Sequence, residues 1–111
     1  MSSILLVSPT GPAPDFLSLL SHDLSTAASA EEALRSMDVA DVVVIDARGD
    51  LAWARTATTI VRQTHPDMPV LLLATTAALG LLSHDWGFSD FVLDGCEAAE
   101  VDVRLRLLLH A

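Results

Sequence analysis

The sequence predicts an α/β fold, a parallel five-stranded sheet with helices on both faces, and three observations carry that prediction. Short apolar runs rich in Val, Ile and Leu recur at residues 4–7, 42–45, 70–73 and 91–93, without the polar alternation of a strand that has one wet face. Segments of helical periodicity separate these runs. A chain of 111 residues with 51% hydrophobic content makes one domain, large enough to bury about two-thirds of its unfolded surface and too apolar to remain disordered.

Residues 4–7 form the first predicted strand, and residues 15–24 the first helix, with Phe16, Leu17, Leu19 and Leu20 at helical spacing behind Pro12 and Pro14. A weak strand over 25–28 is required mainly by the alternation of units. Ser29-Ala30-Glu31-Glu32 is a capping box, in which a serine oxygen and a carboxylate satisfy backbone amides at a helix start, and the helix it opens runs to about Met37. After the strand at 42–45, Asp50 caps a longer helix to about Gln63, with Leu51, Ala54, Ala57, Ile60 and Val61 on one stripe. His65-Pro66-Asp67 ends it. The strand at 70–73 leads to a short, loose helix over 76–85, weakened by Gly80. The strand at 91–93 leads to a last helix over 97–110, with acids at its start and Arg104 and Arg106 toward its end, as the helix dipole favours. The expected topology is flavodoxin-like and doubly wound, strand order 2-1-3-4-5, with function at the carboxyl ends of the strands.

Charge narrows the function. With 15 Asp+Glu against 6 Lys+Arg the net charge is −9, which repels phosphate backbones and anionic membranes. All the cations are arginines, so lysine chemistry is excluded. The single Cys96 has no disulfide partner or metal-ligand spacing around it and fits a reducing, cytoplasmic compartment. No apolar run approaches the ~18 residues of a membrane helix, and the N-terminus lacks the features of a signal peptide.

Ser8-Pro9-Thr10-Gly11, Asp46-Ala47-Arg48, Ala74-Thr75-Thr76 and Asp94-Gly95-Cys96 follow the first, third, fourth and fifth strands. In these units the chain resembles a bacterial response-regulator receiver domain, with Asp46 at the phosphoacceptor position. The resemblance implies further acids after the first strand, a hydroxyl ending the fourth and a lysine ending the fifth. Here those positions hold Ser8 and Pro9, Ala74, and Asp94, so neither a Mg²⁺ site nor the phosphoryl ligands are expected.

Three segments narrow the match: Val42-Val43-Val44-Ile45-Asp46-Ala47-Arg48-Gly49-Asp50-Leu51, Asp85-Trp86-Gly87-Phe88-Ser89-Asp90, and Ala99-Glu100-Val101-Asp102-Val103-Arg104-Leu105-Arg106-Leu107. They resemble the receiver of the actinobacterial GlnR-type orphan regulators of nitrogen assimilation, within the OmpR type. The resemblance implies that residues 1–111 are a regulatory domain, with a C-terminal winged-helix DNA-binding domain expected in the full-length protein. It also implies homodimers through the fourth helix, fifth strand and fifth helix. Asp90, Glu100 and Arg104 match charged positions of that face, Arg106 is a further cation there, and Asp90 to Arg104 is the expected pair between subunits.

Asp46 has three open roles: phosphoacceptor, structural anchor, or cap of a strand-to-helix turn. The anchor is preferred, with the Arg48 guanidinium folding back on the carboxylate and Thr10 donating a hydroxyl. Other classes fit less well. Ser8 to Gly11 is similar to the phosphate loop of flavodoxins, but Pro9, Pro12 and Pro14 delete the amides that would bind a flavin phosphate. For a hydrolase, His22, His65, His84 and His110 fall away from the strand ends, and Cys96 has apolar neighbours. A stand-alone protein-interaction module is the remaining alternative. Trp53 is expected in the core and Trp86 partly exposed. Leu105, Leu107, Leu108 and Leu109 exceed one buried stripe and suggest a partner surface. No cofactor, metal or small-molecule ligand is expected, and any DNA contact is left to the C-terminal domain.

Overall fold

A computed structural model describes residues 2–9 and 23–110. Thr10, His22 and most of the predicted helix over 15–24 lie outside the described residues. The strands are β1 (Ser3–Val7), β2 (Asp23–Ala27), β3 (Val42–Asp46), β4 (Val70–Ala74) and β5 (Asp90–Leu93). All pair in parallel in the order β2-β1-β3-β4-β5. The described α-helices are α1 (Ala30–Ser36), α2 (Leu51–Thr64) and α3 (Ala98–Leu109). This is the predicted flavodoxin-like order.

The sheet divides the core by strand periodicity. Leu5, Val7, Val43, Ile45, Val70 and Leu72 face α1 and α2, packing on Ala33, Met37, Ala54, Ala57 and Val61. Their alternates Ile4, Leu6, Val42, Val44, Leu71 and Leu73 face the other way and pack with Val101 and Leu105 of α3. Successive strand side chains point to opposite faces, so a strand covered on both sides is apolar throughout. Each fully buried leucine contributes about 1.5–3 kcal/mol. Only β1, β3 and β4 are that buried, whereas the edge strands β2 and β5 carry exposed or half-buried positions.

Both predicted caps form. Ser29 Oγ accepts from Glu32 N at 3.1 Å, and the Glu32 carboxylate reaches back to Ala28 N at 3.0 Å. Asp50 Oδ1 accepts from Trp53 N at 3.0 Å. The alanines of α2 let it lie close to the sheet, and its buried Thr58 hydroxyl donates to Ala54 O at 2.8 Å.

Several details correct the sequence reading. β2 begins at Asp23, so Leu24 pairs with Ile4 instead of closing a helix, and Ala28 lies beyond the strand. The expected helix over 76–85 is two 3-10 turns, Thr76–Leu81 and His84–Trp86. In the first of these only Ala78 is buried, too small an anchor to hold an α-helix through Gly80. The tryptophans exchange roles: Trp86 is 6% exposed and meets Phe88 edge to face at 6.3 Å, whereas Trp53 is half-buried. Trp86 is carried inward by the turn that Gly87 closes at φ +95°. A Cβ at Gly87 would stand 3.1 Å from Cβ and Cγ of Arg62. Gly87→Ala therefore meets both left-handed strain and crowding, and an expected loss of about 1–2 kcal/mol is measurable by urea unfolding followed through tryptophan emission.

Candidate functional site

The strand register brings four strand ends together, since Val7 pairs with Ile45, Asp46 with Leu73, and Ala74 with Leu93. Backbone bonds extend each ladder past the strand: Ser8 N donates to Ala27 O at 2.9 Å, Ala47 N to Leu73 O at 2.8 Å, and Asp94 N to Ala74 O at 2.9 Å. Ser8, Asp46 and Asp94 thus occupy one edge. Asp46 ends β3 in the middle of the sheet and is 6% exposed.

Its carboxylate is fully engaged. Oδ1 accepts from Arg48 N at 3.0 Å and Arg48 Nε at 2.9 Å, while Oδ2 accepts from Arg48 Nη2 at 3.0 Å and Ser8 Oγ at 2.8 Å. The backbone bond closes a turn of the kind aspartate favours. The two guanidinium bonds form the fork that arginine, and not lysine, presents to a carboxylate. Burial pushes the Asp46 carboxyl up, but the Arg48 side chain, the Arg48 amide, the Ser8 hydroxyl and the guanidinium charge outweigh it and hold it below its usual value. Arg48 is pushed up, chiefly by its hydrogen bond with Asp46 against some desolvation, with the charges of Asp46 and Asp94 adding to it.

Asp94, exposed at the end of β5, is a second negative charge near the guanidinium. Thr75, after β4, is half-buried and makes no capping bond with its side chain. Among the described residues no group of three His, Cys, Asp or Glu side chains is placed to hold a metal ion. An aspartyl nucleophile needs a free oxygen lone pair and a cation to gather phosphoryl charge. Among the described residues of this edge the cation is Arg48, which already spans both oxygens.

Of the predicted site residues, Arg48 donates to both oxygens of Asp46, and Thr10 lies outside the described residues. Ser8 is the functional residue the sequence reading passed over. It stands where an acid was expected, and a hydroxyl beside a strand-end aspartate is itself a donor signal. Cys96 is half-buried, and burial first and the Glu100 charge second push its thiol up, which disfavours a nucleophilic thiolate. His65 and His110 terminate helices, and His84 is exposed in a 3-10 turn.

The charged residues of the last helix distribute differently from expectation. Arg104 Nη1 pairs with Asp90 Oδ2 at 3.1 Å within the same chain, and its Nη2 lies 3.5 Å from Glu100 Oε1. The Asp90 to Arg104 pair expected between subunits is therefore formed inside one, because α3 packs directly beside the edge strand β5. Arg106 pairs with Asp102 at 3.1 Å. On a helix turning about 100° per residue it stands away from Arg104 but one i, i+3 step from Val103.

Comparison with known proteins identifies the fold. A receiver domain protein from Clostridium thermocellum superposes with a TM-score of 0.81 at 18% identity, over 99% of this chain and 95% of that one. NtrX from Brucella abortus gives 0.80 at 20% identity over 98% of this chain, which spans 26% of NtrX. The response regulator TrrA from Thermotoga maritima, in complex with Mg²⁺-BeF, gives 0.73 at 22% identity over 97% of this chain and 99% of that one. A search of curated proteins finds no match. The fold is that of a response-regulator receiver domain. Within that class the chain belongs to the family of the N-terminal domain of the transcription regulator GlnR, whose model matches residues 1–109.

Proposed function

We propose that this receiver domain works without phosphorylation, as the dimerising half of a transcription regulator that places a winged-helix domain on paired DNA half-sites. The observation that carries this reading is the occupied Asp46 carboxylate: Arg48 and Ser8 take both oxygens, and Asp94 stands where a phosphoryl-binding lysine would be needed. Asp46 is then a permanent anchor of the edge, with the Arg48 guanidinium in the place of a transient metal and phosphate. Thr10, close in sequence to Ser8, is proposed as a further hydroxyl donor.

The regulator is proposed to be cytoplasmic and to act on nitrogen metabolism, a role carried over from its family. No described helix is long and apolar enough to cross a membrane. Its own charge of −9 leaves DNA contact to the C-terminal domain. Assembly is proposed through the 76–81 segment, β5 and the flank of α3 bearing Glu100 and Arg104. Acetyl phosphate with Mg²⁺ is expected to leave the intact mass unchanged. A phosphoryl adduct that is absent from Asp46→Asn would overturn the reading in favour of a genuine phosphoreceiver.

A further inference from the structure

β5 is an edge strand with one neighbour, and the chain that delivers it, residues 82–89, has no regular structure apart from one 3-10 turn. Trp86 anchors that segment in the core, and among the described residues the side-chain hydrogen bonds reaching it from another element come from Arg62. Arg62, near the end of α2, donates through Nε to Gly87 O at 2.8 Å and through Nη2 to Ser89 Oγ at 3.3 Å, while its Nη1 donates to Pro66 O. Ser89 is itself stitched to β4: its N donates to Val70 O at 2.8 Å, and its Oγ accepts from Val70 N at 3.1 Å. The Arg62 stem lies over Gly87, where a Cβ would come within 3.1 Å of it.

One guanidinium thus joins the loop before β4 to the loop before β5, using acceptors that diverge from a single plane. Arginine offers five donors in a rigid fork, whereas a lysine ammonium is a point donor unable to span these acceptors. Immediately downstream, Asp90 opens β5 and grips Arg104. We propose that Arg62 is a positioning residue for the surface made by β5 and α3: it never touches that surface but sets how Asp90 and Arg104 are presented on it. The assembly part of this inference rests on the dimer reading above, whereas the intrachain part does not.

The test is hydrogen exchange by mass spectrometry on this chain and its Arg62→Ala and Arg62→Lys variants, run beside sedimentation equilibrium. Losing charge-assisted hydrogen bonds is expected to speed amide exchange over residues 84–90 about tenfold or more. The amides of β1 and β3 should keep their wild-type rates. Arg62→Lys should recover little of the protection, and the dimer of either variant should dissociate about tenfold more readily. Equal acceleration along the whole chain, unchanged exchange at 84–90, or full recovery by lysine would each overturn the proposal. Faster exchange at 84–90 with an unchanged dimer constant would overturn the positioning claim. A wild-type monomer would remove the dimer reading instead, and exchange at 84–90 would then decide the intrachain role by itself.

Discussion

Asp46→Ala should cost about 2–3 kcal/mol and lower the melting temperature by on the order of 10 °C. Removing one member of a buried pair leaves the other without compensation, at about 3–5 kcal/mol when burial is complete. Asp46 is close to that limit, but the Arg48 side chain is 31% exposed, so water recovers part of the loss. The substitution also strands the Ser8 hydroxyl, which is 2.8 Å from the carboxylate. Arg48→Ala should cost nearly as much, since it leaves a buried carboxylate supported by Ser8 and one backbone amide. The double variant should cost little more than either single one, as expected of groups acting as a unit. Additive losses would show that Asp46 and Arg48 act separately. The pH dependence has a definite sign. Because the folded-state pKa lies below the ordinary 3.8, the contribution is fully present above that value and fades as pH falls through the folded-state pKa. The stability gap between wild type and Asp46→Asn, measured by urea unfolding, should be widest at neutral pH and narrow only in acid.

The sheet was legible because β1, β3 and β4 are buried on both faces and therefore apolar at every position. β2 was shadowy for the opposite reason, being a polar edge strand held by backbone bonds to β1. The caps at Ser29 and Asp50 are local chemistry and could be read locally. The segment over 76–85 could not, because helical spacing without apolar anchors does not decide between an α-helix and 3-10 turns. The Trp86 environment depends on Gly87 with its positive φ and on Arg62, 25 residues before that glycine, both tertiary facts. At the site, Arg48 was readable from its two-residue spacing to Asp46. Ser8 was noted only as a missing acid, since its donor role emerges when parallel pairing sets the end of β1 beside that of β3. Matching charges to an interface pattern likewise gave no warning that Arg104 would pair with Asp90 of its own chain.

That intrachain pairing reshapes what is expected of assembly. On α3, Glu100, Val103, Arg104 and Leu107 fall at i, i+3, i+4 and i+7 and share one flank, while Val101 and Leu105 are buried against the sheet. Val103 is 44% exposed and Leu107 68%, and the neighbouring 76–81 segment adds Leu79 and Leu81 at 39% and 64%. Thr76, Leu79, Phe91, Glu100 and Arg104 border a cleft of about 530 Å³ between these elements. With Asp90 and Arg104 paired within one chain, most of the attraction between two copies falls to the leucines and Val103, and the positioned pair frames them. Burying apolar area is worth ~25 cal/mol per Å², against ~1 kcal/mol or less for an exposed ion pair. In a two-fold dimer each substitution occurs twice in the same interface. Leu107→Glu removes two buried leucines, about 1.5–3 kcal/mol each, so the dissociation constant should rise by about 100-fold or more. Arg106→Glu, which alters an exposed charge and no buried apolar area, should change it far less. Wild-type protein should sediment as a dimer at micromolar concentration, with its dissociation constant shifting less than about tenfold between low and high salt. A monomer at both salt concentrations would eliminate this interface, and a dimer indifferent to Leu107→Glu would place it on another face.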